Sequence, residues 1–328
     1  MSVVSSRKFV ATYAIVSVFA IFAATFIYFF WSMISAIKCW SSEYGPQYYL
    51  AYCLHAAFGV YETGAIYYGL ESGISKSIIN SQVIFVGSSK LQAAFSTQAT
   101  TTYFARENVR FYVLGFAFSN FGGFILPLLK HRRASPSLLI VNADPFFIRE
   151  VAPGTNTLLL EDLRTYWRLV SRAGLQRLQR AICPSFPSFC SPPYRTIYRS
   201  ANTGQWKWKD SYYSEQSIPF NELLQHELSD NEFKAAVDFG ETFLREVGID
   251  RGCIVFTGIP NNDQDAPEVA SRLAQRLGTH LILPKVEPLF LLDDYHLNFD
   301  SAERWSAAFL SELTPVLQRC VSRRGSHD

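Results

Sequence analysis

Ser81-Gln82-Val83-Ile84-Phe85-Val86-Gly87-Ser88-Ser89-Lys90 is the stretch from which the fold can be read. A short apolar run rich in β-branched residues stops at a glycine, two serines follow, and a helix-compatible segment begins. The pattern returns at Val109–Leu114, which ends at Gly115, and again at Leu138–Val141, Cys253–Thr257 and His280–Leu283. Five such runs separated by helical segments predict an α/β fold, a doubly wound and mainly parallel five-stranded sheet. The helices carry end signals. Ser229 with Glu232 makes a capping box before an apolar periodic stretch that Gly248 closes. Asp265 with Glu268 opens the next helix, and Gly278 closes it. Asp300 with Glu303 opens the last, whose apolar face is Ala302, Trp305, Phe309 and Leu313. Pro315 is expected to distort or end that helix, because its ring disfavours helix in the preceding residue.

Upstream of the sheet, Phe9 to Ile37 holds no charged residue. At about 1.5 Å per residue the run exceeds a hydrocarbon core of roughly 30 Å. It predicts a transmembrane helix over 9–38, with a tail at 1–8, a membrane-proximal segment at 39–80 and the main domain at 81–328. Arg7 and Lys8 precede the run and only Lys38 immediately follows it, which places the body on the extracytoplasmic, periplasmic side. A cleaved signal peptide with small residues at Ala20–Ala24 is the other reading of the same run. Within the main domain a long insertion, about 145–228, separates the third strand from the fourth. It holds a basic helix (Arg164, Arg168, Arg172, Arg177, Arg180) and the aromatic stretch containing Trp206 and Trp208. An insertion of this length after a central strand usually shapes a substrate site or a partner surface.

Composition narrows the chemistry. A formal net charge of +2 gives no electrostatic reason to expect nucleic acid as a partner. No Gly-rich dinucleotide fingerprint follows a strand, and no cofactor is expected. The six cysteines, at 39, 53, 183, 190, 253 and 320, form no CxxC pair, which argues against a zinc site; no metal is expected. Cys183 and Cys190 flank a Pro-rich stretch, either as a staple or as two free buried thiols.

In an open parallel sheet, ligands bind beyond the C-terminal ends of the strands. Ser89 stands there, at the start of a helix whose amides and dipole favour a developing oxyanion. The two serines can equally be helix caps. Near the C-terminus runs Leu292-Asp293-Asp294-Tyr295-His296-Leu297-Asn298-Phe299. A nucleophilic serine needs a base, and the base needs an acid to fix its tautomer. An Asp three residues before a His lets one turn deliver both. None of the other histidines (55, 131, 226, 280, 327) has a carboxylate at that spacing.

Gly87-Ser88-Ser89 together with Asp293-Asp294-Tyr295-His296-Leu297-Asn298 resembles the first and last blocks of the SGNH (GDSL-type) hydrolases, over roughly residues 81–318. The resemblance implies Ser89 as nucleophile, His296 as base and Asp293 as the acid that orients it, with Asp294 as the neighbouring alternative. It further implies an oxyanion donor at the Gly115 amide. The family's third block falls on Val141-Asn142-Ala143-Asp144, where its oxyanion Asn becomes Ala143, so Asn142 or Asn120 would have to substitute. Gly-Ser-Ser in place of Gly-Asp-Ser points to membrane-anchored relatives that modify envelope polymers. The expectation is therefore a membrane-anchored serine esterase or acyltransferase acting on an acylated cell-envelope glycan or small ester, held in the lipid bilayer through 9–38. Trp206 and Trp208 would stack on sugars, or else pack the insertion onto the core. The alternative is a catalytically silent scaffold of the same fold that binds polysaccharide or an assembly partner.

Overall fold

The computed structural model describes residues 3–37, 45–53, 59–116, 122–147, 151–186, 190, 196–208, 217–221, 229–262 and 266–322. In chain order they form α1 (Val3–Ile37), β1 (Tyr48–Cys53), α2 (Gly59–Tyr68), α3 (Ile74–Asn80), β2 (Val83–Ser88), α4 (Ser89–Phe95), α5 (Gln98–Arg106) and β3 (Phe111–Phe116). There follow α6 (Gly122–His131), β4 (Leu138–Asn142), α7 (Ala143–Phe146), α8 (Pro153–Leu159), α9 (Leu163–Ile182), β5 (Thr196–Ser200), β6 (Trp206–Trp208) and β7 (Ile218–Pro219). The chain continues through α10 (Asp230–Val247), β8 (Ile254–Thr257), α11 (Ala266–Leu277), β9 (His280–Leu281), β10 (Phe290–Leu291) and α12 (Phe299–Ser322).

The five apolar runs form one sheet in the order β3-β2-β4-β8-β9, and every pairing in it is parallel. Successive strand residues point to opposite faces, so each strand feeds two cores. Ile84, Val86, Leu139, Val141, Ile254 and Phe256 lie under α6, α10 and α11. Val83, Phe85, Leu138, Ile140 and Val255 lie under α4, α5 and α12. Burial on both faces is why these strands read as unbroken apolar runs rather than alternations. Each fully buried large apolar side chain contributes roughly 1.5–3 kcal/mol. The order reverses between β2 and β4, the switch point at whose C-terminal strand ends open parallel sheets bind ligands.

A second sheet, antiparallel in the order β1-β5-β6, joins the segment before the main domain to the insertion. Arg199 of β5 fastens it to the edge of the main sheet. Its guanidinium is fully buried, pairs with Glu62 of α2 at 2.8 Å, and donates to the Val113 and Gly115 carbonyls of β3. Trp206 donates its indole N–H to the same Glu62 at 2.6 Å.

Helix ends follow the sequence in part. Ser229 and Glu232 form the capping box of α10, and Gly248 ends that helix in the left-handed conformation. The cap expected at Asp265 lies outside the described residues. Asn298, rather than Asp300, caps α12 by accepting from the Ser301 amide at 2.9 Å. Glu303 instead reaches across to the Gln98 and Ala99 amides at the start of α5. Nor does Pro315 end α12, which continues to Ser322. Leu313, Leu317 and Cys320 are buried on either side of the proline, and Cys320 is bonded to Cys253. Tertiary packing thus outweighs the local preference of proline.

The expected membrane span requires correction. Among the described residues, no helix is long and apolar enough to cross a membrane. The transmembrane assignment over 9–38, the lipid-bilayer partner and the periplasmic placement of the body all rested on that span and are withdrawn with it.

Candidate active site

Strand β2 ends at Ser88 and α4 begins at Ser89, so the two serines take different work at one turn. Ser88 is the N-cap: its hydroxyl accepts from the Lys90 amide at 3.2 Å. Ser89 is half-buried, and its Oγ lies 2.8 Å from Nε2 of His296, across 207 residues of chain.

His296 sits in the loop between β10 and α12. Its Nδ1 is 2.9 Å from both carboxylate oxygens of Asp293. The same carboxylate accepts from the backbone amides of Tyr295 (2.9 Å) and His296 (2.8 Å), an Asx turn that holds the loop through local bonds. Partial burial would raise the Asp293 pKa. The bond from the His296 ring, its charge and the two amides outweigh that effect and hold the carboxyl below its ordinary value. Asp294 is exposed, and its backbone carbonyl accepts from the Asn262 amide at 2.9 Å. A serine hydroxyl, an imidazole and an ionised carboxylate thus stand in line, in the geometry that lets a base take a hydroxyl proton.

The other expected site residues are placed differently. The Gly115 amide donates to Gln92 Oε1 at 3.0 Å, inside a buried network that also holds Arg199. A Cβ at Gly115 would stand 2.6 Å from Gln92 Cβ and 2.7 Å from the Ser88 carbonyl oxygen, so this glycine serves the close approach of α4 to β3. Asn142 is fully buried: its Nδ2 donates to the Asp144 carbonyl at 2.7 Å, and its Oδ1 receives the Ile259 amide at 3.4 Å. It ties two loops together. Asn120 lies outside the described residues. Trp206 and Trp208 are both buried, with Trp208 against the Phe299 ring at 5.1 Å, so their faces pack the insertion onto the core and do not form a sugar platform.

Sequence reasoning missed the buried polar partners around the site. Lys90 follows Ser89 directly and is buried, its ammonium 3.0 Å from Asp144 and 3.2 Å from Asn261. The available signal was the single charged residue of the short helix Ser89-Lys90-Leu91-Gln92-Ala93-Ala94-Phe95. The turn Gly258–Asn262 supplies Asn261 and Asn262 to this scaffold. Cys183 and Cys190 are bridged, as are Cys253 and Cys320, and Cys53 is also disulfide-bonded. Among the described residues, no group of acidic, His or Cys side chains could hold a metal ion.

No protein-family model matches this chain, and neither the curated proteins nor the solved structures contain a match. The resemblance to the SGNH hydrolases is therefore corrected: two short blocks look alike, and no family-level match carries them further. The envelope-glycan reading, enzyme and scaffold alike, rested on that family, on the membrane span and on the two tryptophans. It falls with them. The parallel sheet and the Ser89–His296–Asp293 geometry rest on neither.

Proposed function

We propose that this protein is a serine-nucleophile enzyme of the hydrolase or acyltransferase class, acting on ester bonds. One observation carries the reading: Ser89 Oγ is 2.8 Å from His296 Nε2, while the opposite ring nitrogen is held at 2.9 Å by Asp293. With Asp293 ionised, the imidazole carries its proton on Nδ1 and presents a lone pair from Nε2 to the serine. Ser89 Oγ attacks the acyl carbonyl as His296 takes its proton. The resulting imidazolium is stabilised by Asp293, and His296 returns the proton to the leaving alkoxide. Water or another hydroxyl then releases the acyl group by the same steps in reverse. Because the Gly115 amide, the Asn142 side chain and the Lys90 amide are engaged elsewhere, oxyanion stabilisation falls to the remaining first-turn amides of α4.

The test is covalent labelling with a fluorophosphonate probe, with the adduct located by mass spectrometry. The expected result is one adduct, on Ser89, that is absent from Ser89→Ala. No adduct on the folded protein, or equal labelling of Ser89→Ala, overturns the reading.

A further inference from the structure

The buried charge beside the nucleophile is unexplained by acyl transfer itself. Lys90 Nζ lies 3.0 Å from Asp144 Oδ2 and 3.2 Å from Asn261 Oδ1, and Asn261 Nδ2 is 3.4 Å from that same Asp144 oxygen. All three side chains are buried. Each comes from the C-terminal end of a different parallel strand: Lys90 follows β2, Asp144 follows β4 and Asn261 follows β8. The next residue, Asn262, donates its amide to the Asp294 carbonyl at 2.9 Å and accepts from the Asn221 amide through its side chain, also at 2.9 Å. Asp294 lies between the acid Asp293 and the base His296. Two routes therefore leave the same ammonium. One runs along one peptide bond to Ser89; the other runs through Asn261 and Asn262 to the His296 loop.

We infer that Lys90, with Asp144 and Asn261, is a positioning cluster that sets the distance between Ser89 Oγ and His296 Nε2. This rests on the reading of Ser89 as nucleophile. A buried ion pair is a poor device for stability, since desolvation offsets most of its attraction, and well-packed apolar replacements are often neutral. An ammonium accommodated by oxygens from two other strand ends does fix geometry. Nucleophile and base come from loops 207 residues apart, joined directly by one hydrogen bond. A displacement of about 1 Å at such a junction can cost about a hundredfold in rate.

The discriminating variant is the double substitution Lys90→Met with Asp144→Leu, which removes both charges together. Asn261→Ala, which keeps the ion pair but removes the side chain that joins Lys90 to the Asn261–Asn262 segment, with its bonds to Asp144 and the Ile259 carbonyl, serves if the double variant does not fold. The full-length protein, both variants, Ser89→Ala and the surface control Lys130→Met are compared by fluorophosphonate labelling rate and by p-nitrophenyl acetate turnover. Crystal structures of the folded variants accompany them. The expected result is a melting temperature close to the parent, a fall in labelling rate and kcat of about tenfold to a hundredfold, and KM changed by less than about threefold. The Ser89–His296 hydrogen bond should be broken in the crystal. Wild-type labelling and an intact bond in a folded variant overturn the inference. If Ser89→Ala keeps wild-type turnover, the nucleophile reading fails on its own, and the crystal distance still decides the positioning role.

Discussion

Replacing Asp293 by Asn isolates the acid from the fold that carries it. The amide oxygen can still accept from the Tyr295 and His296 amides, now at 2.9 and 2.8 Å, so the Asx turn survives. What changes is the group facing Nδ1, because one carboxylate oxygen at 2.9 Å becomes an NH2 donor. The new NH2 favours Nδ1 as acceptor, in competition with the retained oxygen, also at 2.9 Å; in that tautomer the ring proton sits on Nε2, and the nitrogen 2.8 Å from Ser89 loses its lone pair. The imidazolium formed during attack also loses its counter-charge. The Asp293 side chain is 49% exposed, which calls for an effective dielectric well above that of an interior. At 2.9 Å and a dielectric of about 40 to 80, the lost attraction is about 1.4–2.9 kcal/mol, or about tenfold to a hundredfold in rate. The wrong tautomer adds to this. A buried Asp in a serine-protease triad shows a loss of about ten-thousandfold on the same change, so about 10²- to 10³-fold is expected for this half-exposed one. The assay is kcat on p-nitrophenyl acetate, beside the fluorophosphonate labelling rate, with circular dichroism to verify the fold. Asp294→Asn, at the exposed neighbour, should change neither. A loss under about threefold for Asp293→Asn, or the large loss appearing at Asp294 instead, refutes the assignment.

Ser88→Ala should lose about 0.5–2 kcal/mol of stability through its cap while still labelling at Ser89; loss of labelling would move the nucleophile by one residue. Arg199→Met leaves the buried Glu62 without its counter-charge, with only the Trp206 indole N–H beside it, and should cost about 3–5 kcal/mol in urea unfolding, a value near zero showing the clamp to be dispensable. Removing the Cys253–Cys320 bond, which spans 67 residues, should cost about 4 kcal/mol by loop entropy; an unchanged melting temperature for the Cys253→Ser, Cys320→Ser protein contradicts this. The folded Asp293 pKa lies below its unfolded value near 3.9, so its contribution to stability is complete above about pH 4 and is lost as pH falls through the folded pKa. The melting-temperature gap between parent and Asp293→Asn should therefore be constant from neutral pH to about pH 5 and close in stronger acid; a gap that widens in acid reverses the sign.

Local periodicity and short spacing were enough to encode part of this fold. Burial on both faces forces unbroken apolar strands, so the five runs were legible, as were the capping box at Ser229 and the apolar face of α12. The Asp293–His296 pair was legible for the same reason, since an Asx turn forms within three residues and needs nothing from elsewhere. The apolar N-terminal run shows the limit of composition: among the described residues, no helix is long and apolar enough to cross a membrane. Only the tertiary structure decided between Ser88 and Ser89, because their roles differ by a hydrogen bond to a residue 207 positions away. It also committed the Gly115 amide to Gln92, placed Asn142 between two loops and turned Trp206 and Trp208 into the core. Each of these outcomes depends on which strand ends become neighbours, and that is set by the order β3-β2-β4-β8-β9. A charged or amide side chain in a strand-end loop takes whatever partner the sheet order brings beside it. Burial then makes that partner obligatory, because a polar group removed from water without one costs more than a hydrogen bond returns.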